Sequence, residues 1–235
     1  MLVAGLEVSD DPRSGDLRAA LDAVPFLVAL ATHHSEITER ADVVFPVAVV
    51  SEKAGSFTDW EGRVRPFSAA IRGAQPIPDG RVLAMLADVM DVPFGPGDVA
   101  ALRRELDELG RWTGARPDAP ALAAVSVDAP AAGSARLSSW RPLLDRGRLQ
   151  EDEPHLAATA RPVEALMSAS TAQALGVVGR ATVVLSTDRG SVTLPLVIAE
   201  VADGAVWAPL NSEGCDLLGI GAAHGSVVRV TGGAS

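Results

Sequence analysis

The densest chemistry in the chain lies between Glu52 and Arg65, where Glu52, Lys53, Gly55, Trp60, Glu61, Gly62, Arg63 and Arg65 fall in one short run. Two glycines let a ligand approach the backbone closely, and Lys53, Arg63 and Arg65 supply the positive charge that a phosphate group needs. The same residues also support a purely structural arrangement, in which Glu61 and Arg63 pair with each other or with Lys53 and Glu52. Lys53, Gly55, Glu61, Gly62 and Arg63 are therefore the candidate groove residues. Elsewhere the signals are thinner. His33, His34 and Glu36 offer imidazole and carboxylate, which are common zinc or iron ligands, but adjacent histidines on a loop rarely face one ion, and no second cluster completes the set. They read as a solvated loop. Cys215, within Asn211 to Asp216, has no histidine in its local motif to activate it and reads as a small buried thiol. His155 and His224 stand alone, so neither a catalytic residue nor a metal site is expected.

Composition limits what such a groove serves. The 235 residues carry 20 basic and 30 acidic side chains, a net charge of −10. That balance argues against nucleic acid and against docking on an anionic lipid surface, both of which require basic patches. With 48% hydrophobic and 21% charged residues, the chain has the makeup of a globular protein with a real core. One cysteine forms neither an internal disulfide nor a cysteine-ligated cluster, and a reducing cytoplasm fits it best. The apolar run Val24 to Ala31 contains Pro25 and falls far below the roughly 20 residues needed to span a bilayer. Direct membrane insertion is not expected, so any membrane link runs through a partner.

The elements that must position these groups begin with a βαβ rhythm. Leu2 to Gly5 reads as a buried strand on which the chain begins, as a truncated chain would. Ser14 caps a helix carrying Leu17, Ala20, Leu21 and Val24, Phe26 to Leu30 forms a second strand, and Val43 to Phe45 forms a third, ended by Pro46. This predicts an α/β, Rossmann-like parallel sheet. Ser51 to Phe67 reads as a loop with short extended pieces. Two amphipathic packing helices follow, Arg81 to Val92 and Asp98 to Leu109, with Gly110 as a stop. Residues 114–134 are Ala-, Pro-, Asp- and Gly-rich and read as a linker. It separates an α/β domain at 1–113 from a connector at 135–160 and a small β-barrel at 161–235. The barrel strands are Thr182 to Leu185, Val192 to Ile198, Val206 to Leu210 and Val227 to Val230, with one helix from Ser170 to Leu175 that fits a capping box of Ser170 and Gln173.

The ordered strings Thr38-Glu39-Arg40-Ala41-Asp42-Val43-Val44-Phe45-Pro46, Glu52-Lys53-Ala54-Gly55-Ser56-Phe57-Thr58 and Glu61-Gly62-Arg63-Val64 resemble a stretch of the molybdopterin oxidoreductases. Thr171 to Val177, Val183 to Ser186, Arg189 to Ser191 and Val206 to Asn211 are similar to their last domain, a dinucleotide-binding barrel. Within the superfamily, Trp60-Glu61-Gly62-Arg63, Trp140 to Gln150, and Glu153 to Ala157 with Thr159 to Pro162 resemble the large iron–sulfur subunit of bacterial NADH:quinone oxidoreductase, respiratory complex I. The resemblance implies a non-catalytic scaffold, on the cytoplasmic side of the plasma membrane, whose partners are other subunits of the peripheral arm. It implies that iron–sulfur clusters belong to an N-terminal part absent from this sequence and that this chain holds no cofactor of its own. Lys53, Gly55, Glu61, Gly62 and Arg63 then line a vestigial pterin groove, with Trp60 packed where the pterin would lie. Molybdopterin enters only under the alternative, a fragment of a true molybdopterin enzyme such as a formate dehydrogenase or nitrate reductase.

Overall fold

A computed structural model describes the chain except Pro12, Ala74, Pro96, residues 121–128 and 234–235, and the side chain of Leu149. The chain divides into two compact units, Met1–Leu6 with Ala23–Ala123, and Glu7–Asp22 with Ala124–Ser235. It therefore passes from one unit to the other three times, at 6/7, 22/23 and 123/124.

In the first unit, β1 (Leu2–Ala4), β2 (Val28–Ala31) and β3 (Val43–Pro46) form a parallel sheet in the order β1-β2-β3. Only β2 is well covered, burying Ala29 and Leu30; Leu2, Ala4 and Val44 are exposed, so β1 is not the buried strand that its apolar run predicts, because it lies at the edge of the sheet. The helix between β1 and β2, α1 (Ser14–Asp22), falls in the second unit, so the expected βαβ unit is present in chain order only. Ser35 caps the short α2 (Glu36–Arg40): its backbone N–H donates to Thr38 Oγ1 at 2.7 Å.

The stretch expected to be mostly loop is an antiparallel hairpin of β4 (Gly55–Thr58) and β5 (Val64–Phe67). Beyond it, α3 (Asp79–Val89) buries Val82, Ala84 and Ala87. Gly97 lies so close to this helix that a Cβ there would sit 2.7 Å from the Gly80 carbonyl oxygen, which only glycine allows. Asp98 caps α4 (Val99–Leu109) by accepting from Ala101 N at 2.8 Å, and Gly110 stops it at φ 64°. The packing roles expected of these helices are only partly met. Val89 at the end of α3 and Met90 just beyond it are exposed, and α4 buries no residue, leaving Leu106 and Leu109 in solvent.

The second unit holds a closed six-stranded barrel. Its strands are β6 (Ser134–Ser138), β7 (Ala165–Met167), β8 (Thr182–Ser186), β9 (Ser191–Ile198), β10 (Ala205–Trp207) and β13 (Val227–Gly232), in the cyclic order β10-β6-β13-β8-β9-β7. The β10–β6 and β7–β9 pairs are parallel and the remainder antiparallel. Closure leaves no free edge. Alternation along β6, β8 and β13 sends Ala135, Leu137, Val183, Leu185, Val228 and Val230 inward, all almost fully buried. The sequence pattern assigns 135–138 to a connector, because one short run between polar residues carries no sign of its partner strands. Between β6 and β7, the described residues form a 3-10 turn at Arg148–Gln150 and the short helix α5 (Pro154–Ala157). The barrel helix is α6 (Ala169–Ala174), and its cap is Ser168, which accepts from Thr171 N at 3.1 Å, in place of the expected box at Ser170. A small ribbon, β11 (Asn211–Ser212) with β12 (Cys215–Asp216), follows β10.

Candidate functional site

The groove candidates sit at opposite ends of the hairpin. Lys53 and Gly55 lie at its foot, whereas Glu61, Gly62 and Arg63 form its tip, one four-residue strand away, or roughly 10 Å. Each charged side chain already has a protein partner. Lys53 Nζ is 2.5 Å from Asp79 Oδ2, Arg63 Nη2 is 3.0 Å from Glu61 Oε2, and Arg65 Nε is 3.3 Å from Asp59 Oδ2. Arg103 Nη2 donates to the Gly55 carbonyl at 2.5 Å. The face of Gly55 is not open either: a Cβ there would meet the Phe67 ring at 2.7 Å, and that ring stacks on Phe57 with centroids 5.1 Å apart. Gly62 has a turn role instead, with φ 80° and its N–H donating to the Asp59 carbonyl. Asp59 Oδ1 also accepts from Glu61 N and Arg63 N. These residues build the hairpin and its turn, and with their cations matched by carboxylates the geometry does not fit a phosphate cradle.

Trp60 corrects an expectation directly. Instead of packing in a groove it stands at the tip with 94% of its surface exposed. The turn fixed by Asp59 points it away from the body of the hairpin, a direction that residue type alone does not reveal.

His33, His34 and Glu36 do not converge on an ion site. Thr32 Oγ1 lies 3.3 Å from His33 Nδ1, and Glu36 pairs with Arg40 at 3.5 Å. Among the described residues no group of three His, Cys, Asp or Glu side chains is placed to hold a metal. Cys215 is buried, its thiol donating to the Pro209 carbonyl at 3.1 Å, and burial pushes its pKa up to about 12. That thiol is inert at neutral pH. His224 has a role that the sequence does not signal: its Nδ1 accepts from Ser139 N at 3.2 Å, closing the end of β6.

A second site has no signal in the sequence. Beside the barrel, within the second unit, lies a cleft of about 870 Å³ lined by Trp140, Trp207, Leu144, Arg161, Pro162 and Val163 among others, with Glu7, Ser9 and Asp10 also contributing. The Trp140 and Trp207 rings are tilted at 53° with centroids 5.1 Å apart. Arg141 Nε meets Asp145 Oδ2 at 2.5 Å, and its Nη1 meets Asp10 Oδ1 at 3.2 Å. The hydrogen bond to Asp145 is the main reason the Arg141 pKa lies above its ordinary value, against the opposing effect of burial. Arg148 pairs with Glu7 at 3.8 Å and with Glu151. The lining is mixed, with two tryptophans, prolines and leucines beside charged side chains such as Glu7, Asp10, Arg148 and Arg161. Its lining comes from three separated stretches of chain, so no local motif marks it.

The α/β unit and closed barrel match two domain types in succession. The molybdopterin oxidoreductase family model matches residues 2–75, and the molybdopterin dinucleotide binding domain model matches 136–234. The chain belongs to the molybdopterin oxidoreductase superfamily. Within it, the G subunit of NADH-quinone oxidoreductase from Mycobacterium tuberculosis (strain CDC 1551 / Oshkosh) is 45% identical over 237 residues, covering 99% of this chain and 29% of the relative. The G subunit from Streptomyces coelicolor is likewise 45% identical, covering 98% and 28%. The chain thus spans less than a third of the length of these relatives. Acetylene hydratase from Pelobacter acetylenicus, with a TM-score of 0.51 and 14% identity, covers 88% of this chain and 36% of its own, and shows likeness of fold alone.

Proposed function

We propose that this chain is a non-catalytic scaffold region of the large iron–sulfur polypeptide, the G subunit, of a proton-pumping NADH:quinone oxidoreductase. In this reading it supports electron transfer from NADH to quinone in the peripheral arm without carrying electrons itself. The observation that carries the proposal is 45% identity to the G subunit over 99% of the chain. Two physical features support it. A single cysteine cannot ligate an iron–sulfur cluster. The cations at the inherited groove positions, Lys53 and Arg63, are engaged by Asp79 and Glu61, as in a groove that has become structural. The parallel sheet is then the remainder of a Rossmann-like layer, and the barrel a retained dinucleotide-binding shape. Fold outlasting ligand is an ordinary outcome, since function resides in sites and not in folds.

The reading makes the chain peripheral, on the cytoplasmic side of the plasma membrane, with other peripheral-arm subunits as partners and the iron–sulfur clusters held outside this chain. No helix among the described residues is long and apolar enough to cross a membrane. The test is affinity purification of the tagged chain from its source cells. Recovery of NADH:quinone oxidoreductase subunits, with no pterin fluorescence or molybdenum in the purified chain, is the expected result. Stoichiometric molybdenum and pterin would overturn it in favour of a true molybdopterin enzyme. The chain alone is expected to show no NADH oxidation with an artificial acceptor.

A further inference from the structure

We propose that Glu7–Asp22 is an ion-latched strap, and that its first turn, Glu7 to Asp10, is a movable wall of the cleft beside the barrel. The stretch lies between β1 and β2 in the chain yet belongs to the second unit. Three arginines of that unit hold it: Arg148 on Glu7 at 3.8 Å, Arg141 on Asp10 at 3.2 Å and Arg189 on Asp16 at 3.8 Å. The first two pairs sit at the cleft, whose wall includes Glu7, Ser9 and Asp10. All three pairs are partly exposed and therefore salt-sensitive, so they suit a latch better than a permanent weld. The grip is uneven along the strap. Val8 is its buried anchor in the first turn, and Leu21 with Ser14 secures the helix beyond, while the remaining side chains of the first turn are polar. Gly5, at φ 63° with open space where a Cβ would be, lies just before the strap and gives its entry a permissive pivot. On the facing side, Arg141 is oriented by Asp145, which also accepts from Gly147 N at 2.6 Å. The receiving half of the latch is thus preformed and remains so when the strap leaves.

The test uses the full chain and cuts the latch from the strap side, leaving the Arg141–Asp145 pair intact. Amide hydrogen exchange at Ser9 to Asp11 is followed at about 0.02 and 0.5 M salt in the wild type and in Glu7→Gln/Asp10→Asn. Wild-type exchange there should quicken about five- to tenfold with salt, and the double variant should exchange fast at both concentrations. The β8 and β9 amides should stay equally protected throughout. A Trp60→Phe/Trp112→Phe background leaves only the cleft indoles, Trp140 and Trp207, to emit, and their quenching by acrylamide should rise whenever the strap is released. Exchange that ignores both salt and substitution would overturn the latch. Loosening of β8 and β9 together with the strap would show a structural brace in place of a movable wall, and unchanged quenching would show that the strap does not close the cleft.

Discussion

The barrel unit and the sheet unit differ in how they are held together. Among the described residues, the barrel encloses one continuous cluster running from Ala135 through Met167, Leu185 and Leu194 to Val230. The sheet unit gathers Leu30, Val47 and Val82, with Val28, Phe45, Leu83 and Leu86 packed partly against them. The barrel satisfies its backbone by closure, whereas the sheet unit carries a two-stranded hairpin, a form marginal by itself in water. Side-chain ties, Lys53 to Asp79 and Arg103 to the Gly55 carbonyl, do for the hairpin what ring closure does for the barrel. A region that carries its own core keeps its shape without a ligand, while one held by surface ties depends on what surrounds it.

The sharpest way to test this contrast is to cut into the barrel. Leu185→Ala, at a fully buried site, should destabilise the barrel by about 2–5 kcal/mol, leaving the sheet unit's transition in place. Denaturant unfolding followed by near-ultraviolet and far-ultraviolet signals would separate the two, and a single shared transition would break the comparison. Next in size is the shielding of Cys215. With its pKa pushed up to about 12, its reaction with a disulfide reagent at pH 8 should be at least about a hundredfold slower than that of an exposed thiol. The pH consequence follows from the direction of the shift. Below about pH 9 the thiol is protonated in both the folded and unfolded states, so its contribution to stability is fully present. As pH rises from about 9 towards 12 the unfolded thiol ionises first, and that contribution is lost.

Smaller effects belong to the hairpin. Gly62→Ala should cost about 1 kcal/mol, because φ 80° penalises any Cβ, and the loss should appear in the sheet unit alone. Trp60→Ala should change stability by no more than about 0.5 kcal/mol, since the ring is almost wholly in solvent. A loss of several kcal/mol would restore the packed indole expected from the sequence and remove the contrast between the units.

The strands were legible where composition and turn signals agreed. Thr182 to Leu185 and Val192 to Ile198 are short runs rich in β-branched and apolar residues between turn signals, and they are β8 and β9 to within a residue. The helix boundaries near Asp98 and Gly110 were legible because a cap and a stop are local chemistry. What the sequence did not disclose depends on distant partners. The strand β6 makes sense only beside β10 and β13, some 70 and 90 residues away. The outward aim of Trp60 is set by a turn that Asp59 organises through its backbone and side-chain contacts. The pairing of Glu61 with Arg63 was open to a sequence reading because both lie in one turn, whereas the pairing of Lys53 with Asp79, 26 residues on, required the fold. The 114–134 linker falls partly outside the described residues, at 121–128, while 114–120 is exposed. A protease cut there should not release two independent pieces, because Glu7–Asp22 belongs with the barrel unit while the sequence around it belongs with the sheet.

That threading sets a timetable for synthesis. Asp10 leaves the ribosome 131 residues before Arg141, the residue that holds it. At about 5–20 residues per second this is an interval of order ten seconds. Throughout it, Val8 and Leu21 have been made while the barrel strands of the unit they belong to have not. β1, β2 and β3 are thus all made while the stretch between β1 and β2 still lacks most of its own unit, and a chaperone that shelters short apolar segments would find its substrate in this stretch during that interval.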